Sequence, residues 1–384
     1  MKYQEHFLLD CDEVIFYVKE KNLFSENADL TVKEIGDGNI NYIFKVENKI
    51  DGKSIVLKQA DKLLRSSSRP LDLTRSKIEA NILRIENDLA PHFVPEIYFY
   101  DEIMCVLAME DISEYKNLRT DLIAGKIFPN FADNISEFLS RTLLLTTDLF
   151  INKFEKKKNV KEFINPELCD ISECLVFTEP YDNNRNRNII TAGNEEFVEN
   201  TLYKNEDLHF AILKLREKFM NYSQSLIHGD LHSGSIFINE KGIKIIDPEF
   251  SFYGPMAYDI GNVIGNLYFP LYRAKFFMED SKKKEEFINW LEKCILDIPI
   301  LFSKKCKLLW EKYSNDRLLK NKKFRDYYIE NIIKDSLAYA GTEIIRRVVG
   351  DTKVLELTSL ETSEKKLELE RSLINKAISM IIEN

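Results

Sequence analysis

Three carboxylates in one stretch of the chain are the side chains best placed by type and spacing to do chemistry. Asp230 lies in His228-Gly229-Asp230-Leu231-His232, and Asp247 and Glu249 lie in Ile245-Ile246-Asp247-Pro248-Glu249-Phe250. The residues between read as a β-hairpin: a strand from Ser235 to Asn239, a turn containing Gly242, and a return strand from Ile243 to Asp247. In an antiparallel hairpin the start of the first strand lies beside the end of the second, so the three acids are expected to converge. One acid to receive a hydroxyl proton, beside two that can hold a metal ion, is what phosphoryl transfer needs. In extended backbone i and i+2 project to one side, so Asp247 and Glu249 can reach one cation. Mg2+, which takes few protein oxygens alongside phosphates, fits such a pair. The competing reading is an acidic turn capped by Pro248.

A second hairpin repeats the geometry. Asn41 to Glu47 alternates Tyr42, Phe44 and Val46 against Ile43, Lys45 and Glu47, and Lys53 to Gln59 forms the return strand. The loop Gly36-Asp37-Gly38-Asn39 is thereby brought beside Lys58. Backbone amides in such a loop, with one ammonium, can hold nucleotide phosphates. A tight turn explains the glycines equally well, and a solvated strand-end lysine is the plain reading of Lys58 taken alone. Glu79, on a helix from Thr74 to Ala90, could pair with Lys58. Ser76-x-x-Glu79 is also a capping box, which gives Glu79 a different occupation.

Other polar residues have more modest readings. His228 and His232 stand at i, i+4, but Gly229 breaks a helix there, so loop-holding histidines suit the segment better than zinc ligands. Asp259, entering a helix, suits capping or loop bracing. Arg346 and Arg347 interrupt an apolar run between Ile344 and Val348. Consecutive helical residues point about 100° apart, so both cannot be fully exposed on a packed helix, and one or both are expected to meet a ligand or a carboxylate, a structural ion pair being the competing reading.

The elements that must carry these residues fall into two parts. Strands and one helix fill the chain as far as the strands near Glu96 to Tyr100 and Ile103 to Met109. After Asp111 the spacing turns helical: Phe131 to Phe150, Lys282 to Ile300, Lys322 to Val349 and Glu364 to Ile382. Residues 155 to 225 read as polar and irregular, with 181 to 188 an exposed loop. The expectation is an α+β fold of two lobes: residues 1–111, small and sheet-rich, and residues 112–384, larger and mainly helical, with the ligand site in the cleft between them.

At 384 residues the chain has ample core, and 44% apolar with 30% charged residues is ordinary globular composition. A net charge of −9 argues against a general nucleic-acid binder. No run approaches 18 apolar residues, the start lacks a secretory signal, and six cysteines without a Cys-x-x-Cys pair suggest reduced thiols, so a cytoplasmic protein is expected.

His228-Gly229-Asp230-Leu231-His232 followed by Asp247-Pro248-Glu249 resembles the aminoglycoside phosphotransferase and protein-kinase-like small-molecule kinases. With Gly36-Asp37-Gly38-Asn39-Ile40-Asn41-Tyr42, Ile-Asp-Pro-Glu-Phe-Ser-Phe-Tyr-Gly-Pro-Met and Gly341-Thr342-Glu343-Ile344-Ile345-Arg346-Arg347, the chain resembles the 5-methylthioribose kinase family most closely. That resemblance implies a protein-kinase-like bilobal fold and ATP-dependent phosphorylation of the anomeric hydroxyl of 5-methylthioribose, a step of methionine salvage. It implies that Gly38, Asn41, Lys58, Glu79 and the Met109-Glu110-Asp111 connection serve ATP, and that Asp247 and Glu249 hold Mg2+. It further implies Asp230 as base and sugar contact, Arg346 and Arg347 on the substrate side, and a homodimer. One departure is visible: five residues after the catalytic Asp, protein kinases place a metal-binding Asn, and Ser235 stands there. A hydroxyl is the poorer ligand, so Glu249 is expected to take over that task.

Overall fold

The computed structural model of the chain describes residues 3–35, 41–63 and 72–383. Contacts group the chain into two units, Met1–Glu114 with Lys244–Glu249, and Tyr115–Ile243 with Phe250–Asn384.

The first unit opens with α1 (Cys11–Glu20), started by a capping box in which Asp10 accepts from the Glu13 amide and Glu13 accepts from the Asp10 amide. Strands β1 (Leu30–Glu34), β2 (Tyr42–Asn48) and β3 (Ser54–Gln59), then helix α2 (Thr74–Leu89), then β4 (Ile97–Asp101) and β5 (Val106–Glu110), follow in sequence. The strands form one antiparallel sheet in the order β1-β2-β3-β5-β4. The predicted alternation holds in β2, where Phe44 and Val46 are buried and Glu47 is exposed. In β3 every residue from Ile55 to Gln59 is buried. Its Ile55 and Leu57 join Tyr17, Val18, Val106 and Ala108 in the core, each buried Val, Leu or Ile side chain contributing about 1.5–3 kcal/mol. Ile43 pairs with Lys58 across the β2–β3 ladder, which fixes the lysine's place in the sheet.

The second unit begins with β6 (Lys116–Asn117), α3 (Leu118–Ile123) and α4 (Phe131–Leu145). The segment expected to be irregular is instead helical: α5 (Lys153–Glu162), α6 (Pro166–Glu173), α7 (Glu179–Asp182), α8 (Glu195–Val198) and α9 (Glu206–Asn221), with π-helical turns at Cys174–Thr178 and Glu199–Tyr203. These pieces are too short to display a full hydrophobic period, and Pro166, Pro180 and the left-handed residues Asn165, Asn183 and Asn186 punctuate them. The stretch 181–188 is not simply exposed, because Tyr181 is buried and Asn188 donates to the Glu179 carbonyl.

Strands β7 (Ser225–Ile227), β8 (Ile236–Ile238), β9 (Ile243–Ile245) and β10 (Phe252–Gly254) come next, β7 pairing with β10 and β6 with β8. Helices α10 (Met256–Phe277), α11 (Lys282–Tyr313), α12 (Lys322–Val349), α13 (Leu355–Thr358) and α14 (Glu364–Ile382) complete the chain. The spacing foresees α12 and α14 to the residue. It ends α11 at Ile300, whereas the helix runs on to Tyr313 with Phe302, Cys306 and Leu309 continuing the buried face.

Helices α10 and α12 approach closely through glycine. A Cβ on Gly261 would stand 2.7 Å from the Ser336 carbonyl oxygen, and one on Gly265 would stand 2.8 Å from that of Ala340. Contacts that short are repulsive, so side chains at these two positions would force the helices apart. The approach lets Asn266 of α10 donate to Glu343 of α12 at 2.9 Å. Among the described residues no helix is long and apolar enough to cross a membrane.

Candidate active site

In the first unit Lys58 gathers the charged groups. Its Nζ lies 2.7 Å from Glu79 Oε1 and 2.5 Å from Asp247 Oδ1. Lys58 and Glu79 are buried, whereas the Asp247 side chain is 45% exposed, so this carboxylate is the member of the group that solvent or a ligand can reach. Helix α2 starts with Leu73 as its N-cap, which places Ser76 inside the first turn. The capping box is therefore not formed, and Glu79 is the partner of Lys58.

Arg75, also buried, ties in the remaining residues. Its Nε stands 3.4 Å from Glu249 Oε2 and its Nη2 donates to Asn41 Oδ1 at 3.2 Å. The sequence reading passes over Arg75, although its place one helical turn before Glu79 was a signal. Among the described residues three acids (Glu79, Asp247, Glu249) face two cations (Lys58, Arg75).

The titration behaviour follows from burial and from this crowding of charge. Burial opposes the charge on Lys58, but Asp247, Glu79 and Glu249 outweigh it and hold the ammonium well above its ordinary pKa. Burial, with Lys58 pulling the other way and Asp247 adding repulsion, raises both Glu79 and Glu249. Clustered carboxylate oxygens with one exposed member suit a hard cation. Among the described residues no group of three or more His, Cys, Asp or Glu side chains is assembled as a metal site. A pair of carboxylates suits a cation that keeps water or phosphate oxygens as its other ligands.

The backbone beneath that pair differs from the expected extended strand. Asp247 has φ +62°, in the left-handed region, and Glu249 lies in a 3-10 turn, Pro248–Phe250. The strand pattern ends at Ile245, and Pro248 with its fixed φ suits a turn rather than a ladder. The i, i+2 argument for a common face thus does not hold. Instead the two acids meet neighbouring cations, Asp247 on Lys58 and Glu249 on Arg75.

The Met109-Glu110-Asp111 connection is held firmly. Glu110 Oε2 accepts from Lys244 Nζ at 2.7 Å, and Asp111 Oδ2 accepts from Lys45 at 2.7 Å and from the Ser54 hydroxyl at 2.6 Å. These carboxylates serve the unit itself, so main chain is what the segment has to offer a nucleobase. Gly38 lies outside the described residues.

In the second unit Asp230 is set in a loop by backbone bonds. The Asp259 carboxylate accepts from the amides of His228 (2.6 Å) and Gly229 (3.0 Å), the loop bracing expected of it. Gly229 has φ +84°, and a Cβ there would lie 2.3 Å from the Phe250 carbonyl oxygen, so only glycine fits. His232 accepts from the amides of Gly234 and Ser235 through Nδ1, and the Ser235 hydroxyl donates to the Asp230 carbonyl. The histidines hold the loop.

Arg346 Nη2 and Arg347 Nη2 both donate to Asp230 Oδ1, at 2.7 and 3.1 Å. Each also pairs with Glu343, Arg346 through Oε2 and Arg347 through Oε1 at 3.0 Å. Both guanidiniums are nearly buried and both meet carboxylates, where the apolar run pointed to one or both. Glu343 is a residue the sequence reading leaves without a role, although it precedes the arginines by three and four positions on one helix.

Burial works against the Asp230 charge, yet its neighbours hold its carboxyl well below the usual range. His232 stands 3.5 Å from Asp230 Oδ2 but is itself lowered to about 3, by burial first and then by Arg347 and Arg119 against the pull of Asp230. It is neutral near pH 7. The cations that keep Asp230 ionised are therefore the two arginines.

A model of the phosphotransferase enzyme family (APH) matches residues 167–280. Over 363 residues, 94% of this chain and 88% of the relative, the chain is 36% identical to methylthioribose kinase of Geobacillus sp. (strain WCH70). It is also 36% identical to methylthioribose kinase of Escherichia coli O45:K1 (strain S88 / ExPEC), covering 91% of this chain and 86% of that one. The chain belongs to the methylthioribose kinase family. Its fold is similar to that of Plasmodium vivax ethanolamine kinase, with a TM-score of 0.51 at 16% identity over 100% of this chain and 94% of that one. For a member of the methylthioribose kinase family, the antiparallel sheet of the first unit and the helices of the second are thus a protein-kinase-like fold.

Proposed function

We propose that this protein uses ATP to phosphorylate the anomeric hydroxyl of 5-methylthioribose, giving 5-methylthioribose 1-phosphate and ADP in methionine salvage. The observation that carries the reading is Asp230, an ionised carboxylate held by two consecutive arginines, in a chain similar to methylthioribose kinases over nearly its whole length. A lone buried carboxylate would invite a cationic acceptor. Two guanidiniums beside it favour a neutral, hydroxylated one and oppose a polycation such as an aminoglycoside.

In this reading residues 1–111 form the nucleotide lobe and residues 112–384 the catalytic and acceptor lobe. Lys58, oriented by Glu79, neutralises phosphate charge, while Asn41, Gly38 and the main chain of Met109 to Asp111 bind the nucleotide. Asp247 and Glu249 would hold Mg2+, which supplies charge neutralisation at the phosphates when bound. Asp230 orients the acceptor hydroxyl and takes its proton as the new bond forms. A strongly acidic Asp230 is a weak base, but an anomeric hydroxyl is more acidic than an ordinary alcohol and loses its proton late in a loose transition state. Arg346 and Arg347 hold Asp230 in place and line the sugar side. Catalysis is then mostly positioning and electrostatics. The protein acts in the cytoplasm as a homodimer.

The test is ADP release, by a coupled assay with Mg2+-ATP, across 5-methylthioribose, ribose, choline and an aminoglycoside. Turnover is expected with 5-methylthioribose, with ribose weaker by a factor of about 10–200, because one small apolar group contributes only about 1–3 kcal/mol of discrimination. Efficient turnover of choline or the aminoglycoside with none of 5-methylthioribose would overturn the reading.

A further inference from the structure

Behind Asp230 the second unit contains a continuous series of side chains that the roles above do not use. Glu356, on the short helix α13, is fully buried, and no other residue donates a hydrogen bond to either oxygen of its carboxylate. Its ion-pair partner is Arg119, whose Nε stands 3.6 Å from Glu356 Oε2. Arg119 Nε also donates to the Ser233 hydroxyl at 3.1 Å, and its Nη2 donates to Asn266 Oδ1 at 3.3 Å. Asn266 Nδ2 donates in turn to Glu343 Oε1 at 2.9 Å, the oxygen that also accepts from Arg347. Arg347 then reaches Asp230.

Hydrogen-bond polarity gives this series a direction. An amide side chain has one accepting and one donating end. Arg119 and Ser233 both place donors on the oxygen of Asn266, so its nitrogen must face Glu343. That contact fixes one oxygen of Glu343 against Asn266 and Arg347 and leaves the other to Arg346. The two guanidiniums that grip Asp230 are therefore aligned from a distance. Charge along the series is balanced, with Glu356, Glu343 and Asp230 against Arg119, Arg346 and Arg347. Glu356 is buried and Arg119 largely enclosed, and an ion pair so placed is a poor source of stability compared with apolar packing of the same volume, which points to alignment as its use here. Burial raises the Glu356 carboxyl, with Arg119 opposing.

We propose that Arg119, anchored by the buried carboxylate of Glu356, is a positioning residue for the acceptor sugar, acting through Asn266 and Glu343 on the arginines that hold Asp230. This inference rests on the phosphotransfer reading given above and adds to it the residues that set acceptor geometry.

Three variants test it: Arg119→Met, Arg119→Lys and Glu356→Gln, the last nearly isosteric. Arg119→Met should raise the KM for the sugar about tenfold while the KM for ATP stays within twofold, the size of one lost charge-assisted contact. Arg119→Lys keeps the charge but cannot serve Ser233 and Asn266 together, so its sugar KM should fall between wild type and Arg119→Met. Glu356→Gln should raise it about threefold. A purely structural role would lower Tm and the active fraction and leave both KM values alone. Crystal structures of Glu356→Gln and, where it folds, Arg119→Met are expected to show the Asn266 amide turned and the arginines displaced from Asp230. Sugar KM values within twofold of wild type, together with an unchanged Asp230 environment in those crystals, would overturn the proposal. A wild-type protein inert toward 5-methylthioribose would instead sink the substrate reading, and the crystal structures would still decide the positioning role.

Discussion

The ammonium of Lys58 lies 2.5 Å from the carboxylate of Asp247, although 189 positions separate the two in sequence. Glu79 holds the same nitrogen from the opposite partner, helix α2. The lysine thus links a sheet strand, a helix and a distant turn, and each connection has a measurable consequence.

Replacing Lys58 by Met should leave Glu79, Asp247 and Glu249 without the ammonium they share. Removing one member of a buried pair typically costs about 3–5 kcal/mol, and the exposed Asp247 arm contributes the smaller share. Urea unfolding of Lys58→Met should show a loss near the lower end of that range, with a fall of about tenfold or more in kcat/KM for ATP. Wild-type values in both measurements would remove Lys58 from the nucleotide role.

Asp230→Asn keeps the shape of the side chain but abolishes its charge. If Asp230 is the base, kcat should drop on the order of 10²- to 10⁴-fold. Circular dichroism should remain native, since Glu343 still pairs with both arginines. Near-normal turnover by this variant would refute the assignment.

Glu249→Ala tests whether this acid does the work that an asparagine does in protein kinases. The Mg2+ concentration for half-maximal rate should rise, and kcat should fall at least about tenfold. An unaltered Mg2+ dependence would show that Glu249 only anchors Arg75.

Asp111 provides a pH test. Burial would raise its carboxyl, but Lys45, Ser113 and Ser54 lower it to about 2, below the ordinary 3.8. A carboxyl more acidic in the folded state stabilises the fold in full above its unfolded pKa and loses that contribution as pH falls from about 4 toward 2. Asp111→Asn should therefore be less stable than wild type at pH 7, and the gap in urea midpoint should close as pH approaches 2. A gap that is constant with pH would contradict the ion-pair account.

Much of this was readable from residue order. Alternation in β2 and 3.6-residue spacing in α12 and α14 arise from one-sided burial, and burial leaves a direct trace in sequence. The signature around Asp230 and Asp247 carries its own chemistry. What escaped detection has a common cause in tertiary contact. Whether Glu79 capped a helix or met Lys58 depended on where α2 begins, which local rules place only within a few residues. The left-handed Asp247 is set by its turn, since alternation alone would have extended the strand. Arg119 and Glu356 look like ordinary surface charges until folding buries Glu356 and largely encloses Arg119, whereas Arg75 and Glu343 each carried a local hint in their helical spacing from Glu79 and from the arginine pair.

The assignment of Lys244–Glu249 to the first unit means that this unit is discontinuous, assembled from two separated runs of the chain. A truncation ending at Glu114 would carry Lys58 and Glu79 while lacking both Asp247 and Glu249. Such a fragment leaves Lys58 without its Asp247 partner, and any chimaera that swaps this unit between relatives must transplant the six-residue insert as well.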